Sequence, residues 1–340
     1  MRKYWLIILQ CLISVLLIWH LLGNETLRSE AVRVIKSANP LLLVAGFGTA
    51  VLCELLCALR WWFMLRAFGT PVSFARTCAF CGAGLFFSLS LPGGAGGDAF
   101  RIIYVMRLYP KRRLRAALSV LADRLCGLAA LVLSLGFSLA FHRNLFDFDP
   151  SSHAILTAAI LMLGSVVVLV LLWWLSSLPQ LHALWFPFTP ARIQKRAIRM
   201  GRVFSSLTKQ PKLVAVALLT SIAALSVHFT TYFCSARAFK LPLSLMDIFT
   251  IMPIVETLIL LPITLYGVGL RETLFEHLLG GMFHIPHGAA TLTSLGGFGL
   301  QAAVGLLGGL LIPFTTPSIN LSSSMAAKNH PPILANKEVG

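Results

Sequence analysis

Apolar runs of membrane-spanning length, separated by short basic segments, take up most of this chain. Inside hydrocarbon every backbone N–H and C=O must be satisfied within the protein, so only helices or closed barrels can cross it. An α-helix needs about 20 apolar residues to do so. Tyr4 to Leu22 is the first such run, behind Met1-Arg2-Lys3; no small-x-small cleavage site follows it, so it is expected to be a span rather than a removed leader. Leu41 to about Phe63, Ala116 to Phe141, Ala154 to Leu178, Leu213 to Ala236 and Ala289 to Phe314 are the others. Only 12% of the 340 residues are charged and 57% are hydrophobic, against about 25% charged in a soluble domain. The chain is therefore expected to be an all-α polytopic membrane protein, with no room between the runs for a soluble catalytic domain.

Two apolar stretches are interrupted. Thr77 to Leu91 is short for a span and is followed by Pro92-Gly93-Gly94-Ala95-Gly96-Gly97-Asp98-Ala99-Phe100-Arg101. Proline cannot donate to a helix and each glycine weakens one by about 1 kcal/mol. Basic residues flank the segment on both sides (Arg66 and Arg76 before, Arg107 to Arg115 after). Residues 77–109 must then enter from the cytoplasmic face and return, either as two short full spans, which charge alone does not separate, or as a re-entrant hairpin with its tip at the glycines, which the short lengths favour. Residues 246–279 are broken at Met252-Pro253, at Leu261-Pro262 and at Tyr266-Gly267-Val268-Gly269-Leu270-Arg271-Glu272. Both stretches read as Leu-Pro, paired glycines, charges and a resumed helix. The architecture expected is about six full transmembrane helices plus two broken hairpins entering from opposite faces, a possible inverted repeat.

The +16 net charge invites a nucleic-acid reading, but the 28 Lys and Arg cluster between apolar runs, where the positive-inside rule puts them. No nucleic-acid partner is expected. The largest basic loop, Pro179 to Lys212, carries seven Lys or Arg and no acid. Over 190–208 its apolar residues (Ile193, Ala197, Met200, Phe204, Leu207) recur at helical spacing opposite the bases, as in a helix lying on anionic lipid headgroups. Arg60-Trp61-Trp62 reads as an interfacial anchor at the end of the second span. Residues 315–340 are Ser-, Asn- and Pro-rich and are expected to be a disordered cytoplasmic tail. The seven cysteines lie in or beside apolar runs. Cys78-Ala79-Phe80-Cys81 has metal spacing but no second pair completes it. No metal, cofactor or catalytic residue is assigned.

Ionisable residues within spans are rare and mark functional sites. Here they are Glu54, Asp98, Arg101, Asp123, Arg124, Glu256, Arg271 and Glu272. Either these charges pair and tie the bundle together, or they line a path for a charged cargo group. Asp123 and Arg124 are neighbours, about 100° apart on a helix, so at least one should reach another segment. His228, alone in its span, is expected to be a satisfied buried histidine.

Leu91-Pro92-Gly93-Gly94-Ala95-Gly96-Gly97-Asp98 with Arg101, then Ala116-Ala117-Leu118-Ser119-Val120-Leu121-Ala122-Asp123-Arg124-Leu125-Cys126-Gly127-Leu128, and finally Leu261-Pro262 through Gly267-Val268-Gly269-Leu270-Arg271-Glu272 resemble the lysylphosphatidylglycerol synthase transmembrane region. This is the flippase-like half of the multiple peptide resistance factor. The resemblance covers about residues 1 to 315; Ile263-Thr264-Leu265-Tyr266 departs from the Gly-rich approach common there. It implies lipid translocation between leaflets without lipid aminoacylation. Two alternatives are an accessory subunit of an envelope lipid or glycan pathway, with partner proteins, and an enzyme acting on a lipid phosphate through Asp98 or Asp123. No carboxylate or histidine spacing supports the last. The headgroup path is expected to use Pro92, Gly93, Gly94, Gly96 and Gly97 with Asp98 and Arg101. Asp123, Arg124 and Glu256 join it, as do Gly267, Gly269, Arg271 and Glu272. The expected location is the bacterial inner membrane with both termini cytoplasmic.

Overall fold

A computed structural model describes residues 36–90, 96–141, 150–176, 210–261, 264 and 266–315. Among the described residues the chain is helical, with no strand: α1 (Pro40–Ala67), α2 (Phe74–Ser90), α3 (Gly96–Leu108), α4 (Arg113–Phe141), α5 (Pro150–Ser176), α6 (Pro211–Ala238), α7 (Leu245–Ile259), α8 (Leu270–Phe283) and α9 (His287–Gly309). Of these, α1, α4 with the short 3₁₀ turn before it, α6 and α9 are each long and apolar enough to cross a membrane. The bundle exposes large apolar side chains such as Leu41, Leu133, Leu161, Leu219 and Leu310, as a lipid-facing surface requires.

Local chemistry sets the helix ends. Asn39 accepts a 3.0 Å hydrogen bond from the Leu41 amide and Pro40 starts α1, satisfying one of the orphan donors of a helix N-terminus. Ser244 and Asp247 exchange reciprocal side-chain to backbone bonds at the start of α7, a capping box. Pro253 does not interrupt the second broken stretch as expected: it removes one backbone donor, yet α7 runs through it from Leu245 to Ile259. The break lies later, between α7 and α8.

Among the described residues two cores hold the bundle. One joins the end of α1 (Trp61, Met64, Leu65) to α2 (Phe80), α3 (Val105) and the start of α4 (Leu118). The other joins the ends of α4 (Leu135) and α6 (Phe229, Tyr232) to α7 (Ile251), α8 (Phe275) and the start of α9 (Ala290). The Asn39 amide bonds the Ala238 carbonyl at 2.8 Å, so α1 begins where α6 ends, and the two cores occupy opposite ends of the bundle. Each broken segment is rooted in one core and reaches inward from that end.

Arg60 and Trp61 are not the interfacial anchor expected of them. The helix continues to Ala67, which places both well inside it: Trp61 is fully buried and Arg60 faces α4. Trp62 lies beside them, bonding the Val72 carbonyl at 3.0 Å under the Arg66 guanidinium. The first apolar run (4–22), the 190–208 segment and the tail beyond residue 315 fall outside the described residues.

Candidate functional site

Between the two cores lies a cavity of about 540 Å³. The first broken segment brings Gly97, Asp98 and Arg101 to it; the second brings Tyr266, Gly267 and Arg271. Counted from its Leu-Pro, each segment places a cavity glycine at the fifth position and a cavity arginine at the ninth. Glu54 and Arg60 from α1, Arg124 from α4, His228 from α6, Glu256 from α7 and Gln301 from α9 complete the polar wall.

Gly97 permits the first approach. Its amide bonds the Ser88 hydroxyl at 3.2 Å, and a Cβ there would stand only 2.5 Å from the Gly84 carbonyl oxygen. A side chain would push α3 off α2. Gly267 permits the second. Its φ of 81° belongs to the left-handed region that glycine enters without strain. A Cβ would meet Ile259 Cγ2 at 2.7 Å. With Tyr266 (φ 50°) and Gly269 (φ 87°) it turns the chain into α8, so Arg271 starts that helix against the cavity.

The charges sort into two groups. Around α3 they pair. Arg60 forms a fork on the fully buried Asp123 (2.6 and 3.2 Å) and donates to Ser221. Arg101 lies 3.7 Å from both Asp123 and Glu54, with Nε unpartnered. Arg124 forks onto Asp98 at 2.6 and 2.7 Å, more exposed than the other pairs. Asp123 and Arg124 both reach other helices, in different directions, as their adjacency requires.

Around α8 the pattern differs. Glu272 turns away from the cavity: it accepts from the Gly269 amide at 2.5 Å and from the Ser294 hydroxyl at 3.0 Å. It caps the helix and fastens it to α9. Glu256 accepts from or donates to His228 Nε2 at 3.0 Å, and the Gln301 amide contacts His228 Nδ1. Arg271 is 3% exposed and has no carboxylate within ion-pair distance among the described residues. Its Nη2 reaches the Tyr266 carbonyl at 3.5 Å, while Nε and Nη1 have no partner. The Phe298 ring lies 5.0 Å and the Tyr232 ring 6.0 Å from its guanidinium carbon.

Of the residues expected on the headgroup path, Gly97, Asp98, Arg101, Arg124, Glu256, Gly267 and Arg271 border the cavity. Asp123 stands behind Arg60, Gly96 is the buried first residue of α3, and Gly269 and Glu272 form the α8 start. Pro92, Gly93 and Gly94 fall outside the described residues. Sequence reasoning left Arg60, Tyr266 and Gln301 out; His228 is the satisfied, largely buried histidine expected, bonded on both ring nitrogens, and it also borders the cavity. Glu54 was visible as an acid inside an apolar run; nothing in the sequence distinguishes Gln301. Among the described residues no group of three or more His, Cys, Asp or Glu is placed to hold a metal ion.

The family profile described as the lysylphosphatidylglycerol synthase TM region matches residues 7–309. No curated protein matches the chain. The family and the long apolar helices together make this an integral membrane protein.

Proposed function

The chain belongs to the lysylphosphatidylglycerol synthase TM region family, a membrane domain associated with lipid-related transport and synthesis, and from that premise we propose that it moves a membrane lipid between leaflets through the central cavity. One observation carries the reading: Arg101 and Arg271, supplied by broken segments rooted at opposite ends of the bundle, border the same cavity. A lipid headgroup cannot enter hydrocarbon without losing its hydration, and a charged group is costly there. A polar cavity inside the bundle replaces that hydration, while acyl chains stay against the apolar exterior. About 540 Å³ falls within the range of small-molecule sites, about 300–1,000 Å³.

On this reading the lipid changes position and not covalent structure, and the protein sits in the bacterial inner membrane with both termini cytoplasmic. The test is a proteoliposome assay in which a fluorescent phospholipid in the outer leaflet is bleached by an impermeant reductant. The wild type is expected to make inner-leaflet lipid accessible, and Arg101→Ala and Arg271→Ala to slow this at least tenfold. Wild-type rates in both variants overturn the site; no activity in any protein against several headgroups overturns the transport reading.

A further inference from the structure

Arg271 is a buried cation on the cavity with no carboxylate within ion-pair distance among the described residues. A guanidinium presents five N–H donors in a planar fork that matches an oxyanion, and leaving such donors unpaired while buried costs free energy. Two of its three nitrogens are unpartnered among the described residues, and the Phe298 and Tyr232 rings lie beside the guanidinium. The remaining approach is through the cavity. Glu256, His228 and Gln301, one side chain from each of α7, α6 and α9, form a bonded group lining the same cavity, and the Glu256 carboxylate acts on Arg271 electrostatically.

Histidine is the side chain whose ordinary titration lies between pH 5 and 8. With His228 neutral, the His228–Glu256 pair carries one negative charge, which offsets Arg271. With His228 protonated, the pair is neutral and Arg271 is left uncompensated. Gln301 serves both states, since its amide can donate to a neutral Nδ1 or, turned over, accept from an imidazolium. Among the described residues the other titratable or charged groups facing this end are Tyr232 on α6, Tyr266 before α8, Arg271 and Glu272 on α8, and Glu54 on α1. Arg101, Arg60 and Arg124 from the remaining walls are occupied by Asp123, Glu54 and Asp98.

We infer that Arg271 is the subsite for a phosphodiester oxyanion and that His228–Glu256 is its proton-linked counter-charge, so that the anion binds together with a proton. The inference rests on the lipid reading for its ligand class but not on transport itself. Linkage is reciprocal: if a proton on His228 favours the anion, the anion favours the proton. One proton taken up per anion lowers affinity about tenfold per pH unit where the free histidine is neutral and the bound one is protonated.

The experiment is calorimetric titration of the purified full chain between pH 5.5 and 8.5, in two buffers of different ionisation enthalpy, which counts the protons. The probes are dihexanoylphosphatidylglycerol below its micelle concentration and its deacylated headgroup, glycerophosphoglycerol, whose phosphodiesters do not titrate in this range. The wild type is expected to bind more weakly as pH rises and to take up close to one proton. His228→Gln should bind with no pH dependence and no proton uptake. Glu256→Gln should bind more tightly than the wild type at pH 8.5, and Arg271→Ala at least a hundredfold more weakly than the wild type at pH 5.5.

Proton uptake that persists in His228→Gln overturns the linkage. Wild-type affinity in Arg271→Ala overturns the subsite. Tighter binding of the lipid than of its headgroup supports a lipid source for the anion; equal binding overturns that source. If binding and proton uptake hold but proteoliposomes move no lipid, the transport reading fails and this subsite stands. If lipid moves at rates indifferent to pH and to Arg271→Ala, the reverse is true.

Discussion

Arg101 and Arg271 each stand nine residues beyond a Leu-Pro, each near the start of a helix and each on the same cavity, yet their surroundings are opposite. Arg101 is flanked by Glu54 and Asp123, within a web that also closes Arg60 onto Asp123. Arg271 meets rings and one carbonyl, while its neighbouring acids are engaged elsewhere, Glu272 as a helix cap and Glu256 with His228. Similar letters at similar spacing thus do different work. A buried ion pair mainly avoids the penalty of its own broken form, because desolvation offsets most of its attraction. A buried cation that forms no ion pair among the described residues keeps donors free and reads as a place for an external anion.

The largest expected effect breaks the paired side. Asp123→Ala leaves Arg60 buried without its carboxylate and should cost about 3–5 kcal/mol of stability, read as a lower thermal transition in detergent. The double variant Arg60→Met/Asp123→Leu should regain most of it, since both charges go together. Next comes the direct contrast between the two arginines. Arg101→Ala strands Glu54 and weakens the Asp123 web, so its thermal transition should fall. Arg271→Ala removes a charge with no ion pair among the described residues, so its transition should fall less than that of Arg101→Ala while phosphodiester binding is lost. Equal destabilisation of the two would erase the distinction drawn here.

Smaller effects test the backbone. Gly267→Ala combines a left-handed φ with a clash against Ile259 and should cost about 1–3 kcal/mol, lowering anion affinity by moving Arg271. The smallest effect belongs to the more exposed fork: a double-mutant cycle on Asp98 and Arg124 should return about 1 kcal/mol or less. A coupling as large as that of Arg60 with Asp123 would show that the outer pair is as structural as the inner one.

Much of this was legible in the chain. Long apolar runs, Pro92 and Pro262, the paired glycines and the eight in-span charges marked the helices, the two breaks and the residues to watch. Arg60 was misread because a basic residue beside two tryptophans has the pattern of a membrane-interface anchor, and only the continuation of α1 to Ala67 turns it inward. Pro253 was misread as a break because proline lacks the N–H a helix uses, and only the fold shows α7 continuing through it. Gln301 was unreadable, since one amide in a Gly- and Ala-rich helix carries no periodic signal.

Hydrophobicity acts along the chain and backbone satisfaction acts locally, so the amino-acid order alone determined the all-helical membrane class, the two Leu-Pro and glycine breaks and the family. Pairing is a property of distance across the fold. Which carboxylate meets which arginine, that Glu272 caps a helix rather than lining a path, and that Arg271 is left alone beside a histidine–glutamate pair were decided only when α1, α3, α4, α6, α7, α8 and α9 packed around one cavity.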